Sequence, residues 1–273
     1  MIDVANEVRR PTYVFFHAQY RFLDLMFHID TLQQDITELK DSDAELNVPA
    51  YANPVPAKVL PSVLFDKEVG FPMFLNMSKR CRETEGIIVN TFTELEFHAL
   101  KSLADDHTIP KIYPVGPVLN LKGGSPNEAH NSQSESDIMR WLDDQDPSSV
   151  VFLCFGSMGS FDGDQVKELA RALESCGHRF LWSLRQPPPK GNIELPKEYE
   201  NPTDVPPKDF GMKEMPVMVT AEEISSGIRQ LMDGSDEIKH KVKKMSEKSR
   251  VAVMEGGSSY NSLGCFIEDV IKG

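Results

Sequence analysis

The sequence predicts an α/β protein with parallel strands, and three observations carry that reading. Val150–Phe155 (VVFLCF) is a run of β-branched and aromatic residues of strand length, and reads as a buried strand. It breaks into a loop with Gly156, Ser157, Gly159 and Ser160. An amphipathic helix follows, with Val166, Leu169, Ala170 and Leu173 at i, i+3, i+4 and i+7. Arg179–Leu184 (RFLWSL) then reads as the next strand, closing a unit of roughly 30 residues, the size of a βαβ crossover. Parallel sheets bind ligands beyond the carboxyl ends of their strands, and the first turn of the following helix offers free N–H groups to a phosphate. The loop is therefore the candidate anion site. Its G-S-M-G-S matches neither G-x-G-x-x-G nor the P-loop. The pattern alone leaves a phosphate cradle and a plain strand–glycine–helix turn both open. Asp162 and Ser160 are equal candidates for the helix N-cap.

Composition narrows the function classes. A chain of 273 residues permits one large domain or two modest ones. The formal net charge is −13, which disfavours nucleic acid and an anionic membrane surface as partners. The nearest basic run, Lys239–Lys248 (KHKVKKMSEK), is interrupted by Val242 and Met245 at helical spacing and reads as a solvated helix face. Cys81, Cys154, Cys176 and Cys265 form no C-x-x-C pair and cluster with no histidine, so neither a disulfide framework nor a zinc site is expected. Reduced cysteines point to the cytoplasm, with Cys154 and Cys265 buried as small apolar side chains. No apolar stretch reaches the roughly 20 residues of a membrane span. MIDVANEVRR at the N-terminus has no hydrophobic signal core.

The remaining elements follow in order. Met1–Val8 reads as helix and Tyr13–Phe16 (YVFF) as a short strand. Phe22, Leu25, Met26, Ile29 and Leu32 mark one face of a helix over 22–32. Lys40–Pro72 carries Pro49, Pro54, Pro56, Pro61 and Pro72, which forbid long helices and predict an extended surface excursion. Met73–Thr84 is helical, Gly86–Asn90 (GIIVN) a strand, and Glu94–Leu103 a helix with Leu95, Ala99 and Leu103 inward. Lys111–Val115 is a short strand. Asn120–Ser136 is polar and aperiodic, an interdomain linker. Asp137–Asp143 is a short helix. After Leu184 the pattern fails, and Val205–Met215 supports neither strand nor helix. Thr220 and Glu223 form a capping box, with Ile224, Ile228, Leu231 and Met232 on the apolar face. Asp236–Glu255 is a long helix ended by Gly256–Gly257. Tyr260–Ile271 is the last, with Leu263, Ile267 and Ile271 inward. Two strands cannot make a stable parallel sheet, so the second half looks incomplete near Val205–Met215.

Several of these segments together point to a family. Gly86–Glu96 (GIIVNTFTELE), Tyr113–Pro117 (YPVGP), Trp141–Asp144 (WLDD), Ser148–Ser160 (SSVVFLCFGSMGS), Gly177–Leu184 (GHRFLWSL) and Glu255–Ser259 (EGGSS) occur in one order. In that order the sequence resembles the plant family 1 UDP-dependent glycosyltransferases, in the branch acting on flavonoids and other phenolic or terpenoid small molecules. The resemblance implies two Rossmann-like domains of the GT-B type, both incomplete. Residues 1–119 would be a partial acceptor-side domain, 120–136 the linker, and 137–273 a partial UDP-sugar-side domain with an internal deletion near 205–208. The last helix would cross back onto the first domain.

By resemblance the reaction is transfer of a hexose, glucose in most members, from a UDP-sugar to an acceptor hydroxyl, without a metal or a cofactor. The UDP-sugar is a co-substrate. Gly156, Ser157, Gly159 and Ser160 would contact the donor phosphates, and Phe16 and His17 would lie at the acceptor pocket. The sequence departs from the family twice. The family's catalytic histidine and its aspartate partner match points before Met1. The donor signature, opening W-x-P-Q and containing H-C-G-W-N-S, is missing at the 205–208 junction. No catalytic residue is therefore assigned. His17 has no evident carboxylate partner, and His178 occupies a position without a catalytic role. The expected function is that of a family member impaired in turnover, and the alternative is a non-catalytic, truncated or spliced remnant with weak ligand binding. The oligomeric state is not legible.

Overall fold

The computed structural model describes residues 2–17, 20–32, 36–39, 42–102, 106–119, 132–156, 159–188, 196–199, 218–234 and 236–272. The chain divides into two compact units, 1–121 with 240–273, and 122–239.

The first unit is built on a parallel three-stranded sheet. Its chain order is α1 (Ile2–Glu7), β1 (Tyr13–Phe16), α2 (Tyr20–Thr31), the two-residue strands β2 (Glu45–Leu46) and β3 (Val55–Pro56), α3 (Gly70–Arg82), β4 (Gly86–Val89), α4 (Phe97–Ser102) and β5 (Lys111–Pro114). The sheet order is β1-β4-β5, in register Tyr13↔Gly86↔Lys111. Gly86 is required at that register position: a Cβ there would lie 2.6 Å from the Tyr113 ring and 3.2 Å from that of Tyr13.

Burial of α2 exceeds the expected stripe. Leu23, Leu25, Met26, Phe27 and Ile29 are all buried, and so is Asp24. The cause lies in the proline-rich segment, and here the surface-excursion reading is corrected. Prolines do exclude long helices there; what forms is a β2–β3 hairpin and two short 3-10 turns. Yet Leu46, Val48, Ala50, Val55, Ala57, Leu60 and Leu64 from this segment join the core with α2. Proline removes a donor without preventing alternate side chains from packing inward. In α4, Ala99 is buried as expected, but Leu95 precedes the helix and is exposed. Leu103 lies outside the described residues.

The second unit contains α5 (Ser132–Asp143), β6 (Val150–Cys154), α6 (Gly163–Cys176), β7 (Arg179–Ser183), β8 (Arg185–Gln186), β9 (Lys197–Glu198) and α7 (Ala221–Met232). Helix α5 begins at Ser132, inside the segment read as linker; 120–131 lie outside the described residues. Strands β6 and β7 pair in parallel, Val150↔Arg179 to Cys154↔Ser183. Helix α6 buries Val166, Leu169, Ala172 and Leu173; Ala172 takes the place expected of Ala170, which is exposed. Gly177, at φ 72°, ends it in the left-handed conformation that glycine adopts without strain. The expectation that β6 is buried fails. Val151 is covered, but Phe152 is 64% exposed and Cys154 is exposed. Among the described residues the two-stranded parallel ribbon leaves Phe152 and Cys154 without cover, whereas the apolar run in the sequence is that of a strand sandwiched on both faces.

Helices α8 (Asp236–Ala252) and α9 (Ser258–Lys272) close the chain. Between them Gly256 adopts φ 80°. Helix α9 packs on β5 within the first unit, and its inward face differs from the sequence expectation. Leu263, Ile267 and Ile271 are 43%, 48% and 78% exposed, and Cys265 is exposed. The covered side is Ser259, which is buried, with Ser262, Phe266 and Asp269 half-buried. The Phe266 ring meets Tyr13 and Tyr113 edge-on at 5.1 and 5.3 Å. Asp269 accepts from Lys111 Nζ at 2.5 Å and Tyr113 Oη at 2.8 Å. Ser258 Oγ donates to Glu94 at 2.8 Å, and Ser259 Oγ donates to the Gly116 carbonyl. Specific polar partners on β5 outweigh the larger apolar area of the opposite stripe.

Candidate functional site

The turn after β6 is shaped by two glycines with different demands. Gly156 sits at φ 75°, where an L side chain is strained, and a Cβ there would meet nothing within 4 Å. It is an exposed, open point of the backbone. Gly159 is required by close approach instead: its Cβ would fall 2.0 Å from the Phe155 carbonyl oxygen. Phe155 and Phe161 close the turn from its two ends, edge-on at 4.5 Å. Ser160 is 7% exposed, and its Oγ has no hydrogen-bond partner among the described residues. Ser157 lies outside the described residues. Gly156, Gly159 and Ser160 are thus brought together on one turn at the carboxyl end of a parallel strand.

The N-cap alternative resolves to Asp162, whose carboxylate accepts from Gln165 N at 2.8 Å. That result changes the electrostatics expected of the site. The cap occupies one free donor of the first turn and places a negative charge on the helix end. An anion at this turn would meet the backbone of the glycine turn and the Ser160 hydroxyl, with the helix dipole partly cancelled.

Helix α6 holds the chain that leads into α7. The Gln165 side chain, 4% exposed, donates to the Val219 carbonyl and accepts from Val219 N, both at 2.9 Å. Glu168 accepts from Ala221 N at 2.8 Å. Thr220 and Glu223 then form the expected capping box for α7. These clasps fix residues 219–221 beside α6. Ile224 and Ile228 of α7 are half-buried, while Leu231 is exposed, off the packed face.

In the first unit, Phe16 stacks on Phe22 with ring centroids 6.4 Å apart, and His17 follows it at the exposed carboxyl end of β1. Among the described residues no carboxylate is paired with His17. One histidine–carboxylate pair does exist, His178 Nε2 to Asp233 Oδ1 at 3.5 Å. It sits at the amino end of β7, the opposite end of the sheet from the Gly156 turn. Among the described residues no group of three His, Cys, Asp or Glu side chains is placed to hold a metal, and no helix is long and apolar enough to cross a membrane.

Two buried carboxylates escaped the sequence reading. Glu96 accepts from the amides of Tyr20 and Arg21 at 3.1 and 3.2 Å, capping α2 across 76 residues of chain. Asp24, fully buried on α2, accepts from Ala50 N at 2.9 Å, and burial raises its pKa above the ordinary carboxylate value. Only the acidic end of TELE, within the segment 86–96, hinted at the first. The half-buried Arg82 escaped it too: it donates to Thr108 and the Phe27 carbonyl, pairs with Asp30, and lies 4.6 Å over the Phe27 ring.

No family model matches the chain. Individual proteins do. The UDP-glucose flavonoid 3-O-glucosyltransferase 6 of Fragaria ananassa is 42% identical over 352 residues, spanning 99% of this chain and 73% of that protein. The UDP-glycosyltransferase 71E1 of Stevia rebaudiana is 43% identical, over 99% of this chain and 74% of its own length. The chain belongs to the plant UDP-glycosyltransferases. Among solved structures, a UDP-glycosyltransferase of Siraitia grosvenorii in complex with UDP superposes with a TM-score of 0.86 at 37% identity, covering 99% of this chain and 76% of that one. UGT71G1 of Medicago truncatula, complexed with UDP-glucose, gives 0.80 at 33% identity, over 99% and 73%. The fold of this plant UDP-glycosyltransferase is thus GT-B, with incomplete Rossmann-like domains. The alignment to the Fragaria protein runs over 352 residues against the 273 of this chain, so at least 79 aligned positions have no counterpart here.

Proposed function

We propose that this chain is a hexosyltransferase relative that keeps the donor-diphosphate turn and lacks efficient turnover. The reaction of its lineage moves a hexose, glucose in the relatives named for UDP-glucose, from the UDP-sugar to a hydroxyl of a small phenolic or terpenoid acceptor. The observation that carries the donor half is the Gly156–Ser160 turn. It combines an open left-handed glycine, a second glycine that lets the backbone fold back on Phe155, and a buried serine hydroxyl with no partner among the described residues. Backbone amides and an uncommitted hydroxyl suit a diphosphate oxygen and favour the UDP leaving group as its charge develops. The residues of the turn fit the diphosphate of a UDP-sugar as a substrate.

A hydroxyl needs a positioned base, worth roughly 10²–10⁴-fold in rate. His17 has no carboxylate beside it among the described residues, and the His178–Asp233 pair is at the wrong end of its sheet. The 79 unmatched positions support loss of donor contacts as well. Titration with UDP, followed by calorimetry, tests the donor half. Binding weakened about fivefold or more by Ser160→Ala, the worth of one hydrogen bond, is expected. Binding indifferent to Ser160→Ala and to Gly159→Ala would remove the turn from the donor site.

A further inference from the structure

An open cleft lies in the first unit, lined by none of the residues assigned above. It has a volume of about 440 Å³ and opens between the β2–β3 hairpin connection, residues 47–54, and α4. Asn47, Tyr51, Asn53 and His98 supply its polar lining, with Val48 and Pro54 among the apolar residues. Its volume falls in the usual range for small-molecule sites.

Both walls are fixed to α2 by the buried carboxylates. The hairpin wall hangs on Ala50 N–H, which donates to Asp24, and Tyr51 N donates to the Val48 carbonyl at 3.0 Å. Val48 and Ala50 are buried in the core beneath it. On the other wall, Ala99 is fully buried, and Glu96, two residues before His98, holds the first amides of α2. A cavity whose walls are anchored this way exists before a ligand arrives and loses little entropy on binding.

The lining selects the chemistry. It contains no carboxylate, lysine or arginine, so no formal charge of the ligand is answered. Each asparagine amide both donates and accepts, as do neutral imidazole and the tyrosine hydroxyl. Groups that do both match adjacent hydroxyls, which also do both. The valine and proline faces suit the C–H face of a ring. We infer that this cavity binds a neutral, hydroxyl-bearing saturated ring, the sugar unit of a glycoside, at a site separate from the Gly156 turn.

Titration of the full ¹⁵N-labelled chain with methyl β-D-glucopyranoside tests this, with catechol and UDP as parallel titrants. Saturable shifts of the Tyr51, Ala52 and Asn53 amides are expected, with a Kd in the millimolar range. Asn53→Ala and His98→Ala each weaken them about fivefold, the worth of one hydrogen bond. Both side chains are exposed, and Asn47→Ala provides the same reading should either variant unfold. Saturating UDP leaves the shifts in place. Absence of saturable shifts, shifts produced by catechol and not by the glucoside, or shifts unmoved by all three variants would overturn the inference. Because UDP binding is read at Gly156 and Ser160, failure there leaves this result independent.

Discussion

Replacing Phe266 by alanine is the sharpest test of how α9 is held. The ring is only partly exposed and contacts two tyrosines edge-on, Tyr13 at 5.1 Å and Tyr113 at 5.3 Å. A fully buried phenylalanine costs about 3–5 kcal/mol on truncation, and an aromatic pair adds about 0.5–1.5 kcal/mol beyond area. Partial exposure scales the first figure down, giving about 2–3 kcal/mol for Phe266→Ala. Asp269 stays in place, so its bonds to Lys111 and Tyr113 report only their indirect loosening. Ile271→Ala on the same helix removes a side chain that is 78% exposed and should cost under about 0.5 kcal/mol. Ile267→Ala, at 48% exposure, falls between the two and nearer the lower. Urea unfolding followed by far-UV circular dichroism ranks the three, and amide exchange along α9 locates the loss. If Ile267→Ala or Ile271→Ala costs as much as Phe266→Ala, the packed face of α9 is the apolar stripe and the reasoning is refuted.

Other outcomes follow from the buried polar groups. Asp24 has a folded pKa above its ordinary 3.8, with burial the main cause, so its contribution to stability is full below that value and is lost as pH rises through the folded one. Asp24→Asn keeps an acceptor for Ala50 N–H, so it should match or exceed the parent in urea midpoint at pH 7, the gap closing toward pH 4. Asp24→Ala should lose about 1–3 kcal/mol at either pH, because Ala50 N–H is left unpaired. Gln165→Met removes both bonds to Val219. Val219 is 42% exposed and water replaces part of the loss, leaving about 1–2 kcal/mol. Both tryptophans, Trp141 and Trp182, lie in the second unit, so tryptophan fluorescence reads that change directly. An unmoved transition would show that the clasp is dispensable.

The strands and most helices were legible because local pattern determines them. Tyr13–Phe16, Gly86–Val89 and Arg179–Ser183 are short apolar runs, and the capping box at Thr220 names its own helix start. Inward faces were less legible. In α9 the apolar period picks out Leu263 and Ile267, but polar anchoring of Asp269 on β5 and of Ser259 on Gly116 just after it decides the face, and those partners lie about 150 residues away. The proline-rich segment was misread for a related reason: proline content reports on helix formation and says nothing of burial. At the site, the two glycines and Ser160 could be read from the strand–turn–helix sequence, and the spacing S-x-D left the N-cap open until Asp162 was seen to hold Gln165 N. Asp24 and Glu96 carry no local signal, since a carboxylate is drawn inward only by amides that tertiary folding delivers.

We propose that this chain retains a place for the nucleoside diphosphate while, among the described residues, no histidine–carboxylate pair is placed to deprotonate an alcohol. Incubation with UDP-glucose and a phenolic acceptor, with glucoside quantified against a heat-killed control, addresses it most directly. Product indistinguishable from the control, from a preparation that still binds UDP, is the expected result. Glucoside accumulating in proportion to enzyme, and abolished by His17→Ala, would contradict the claim and place the missing base at the end of β1.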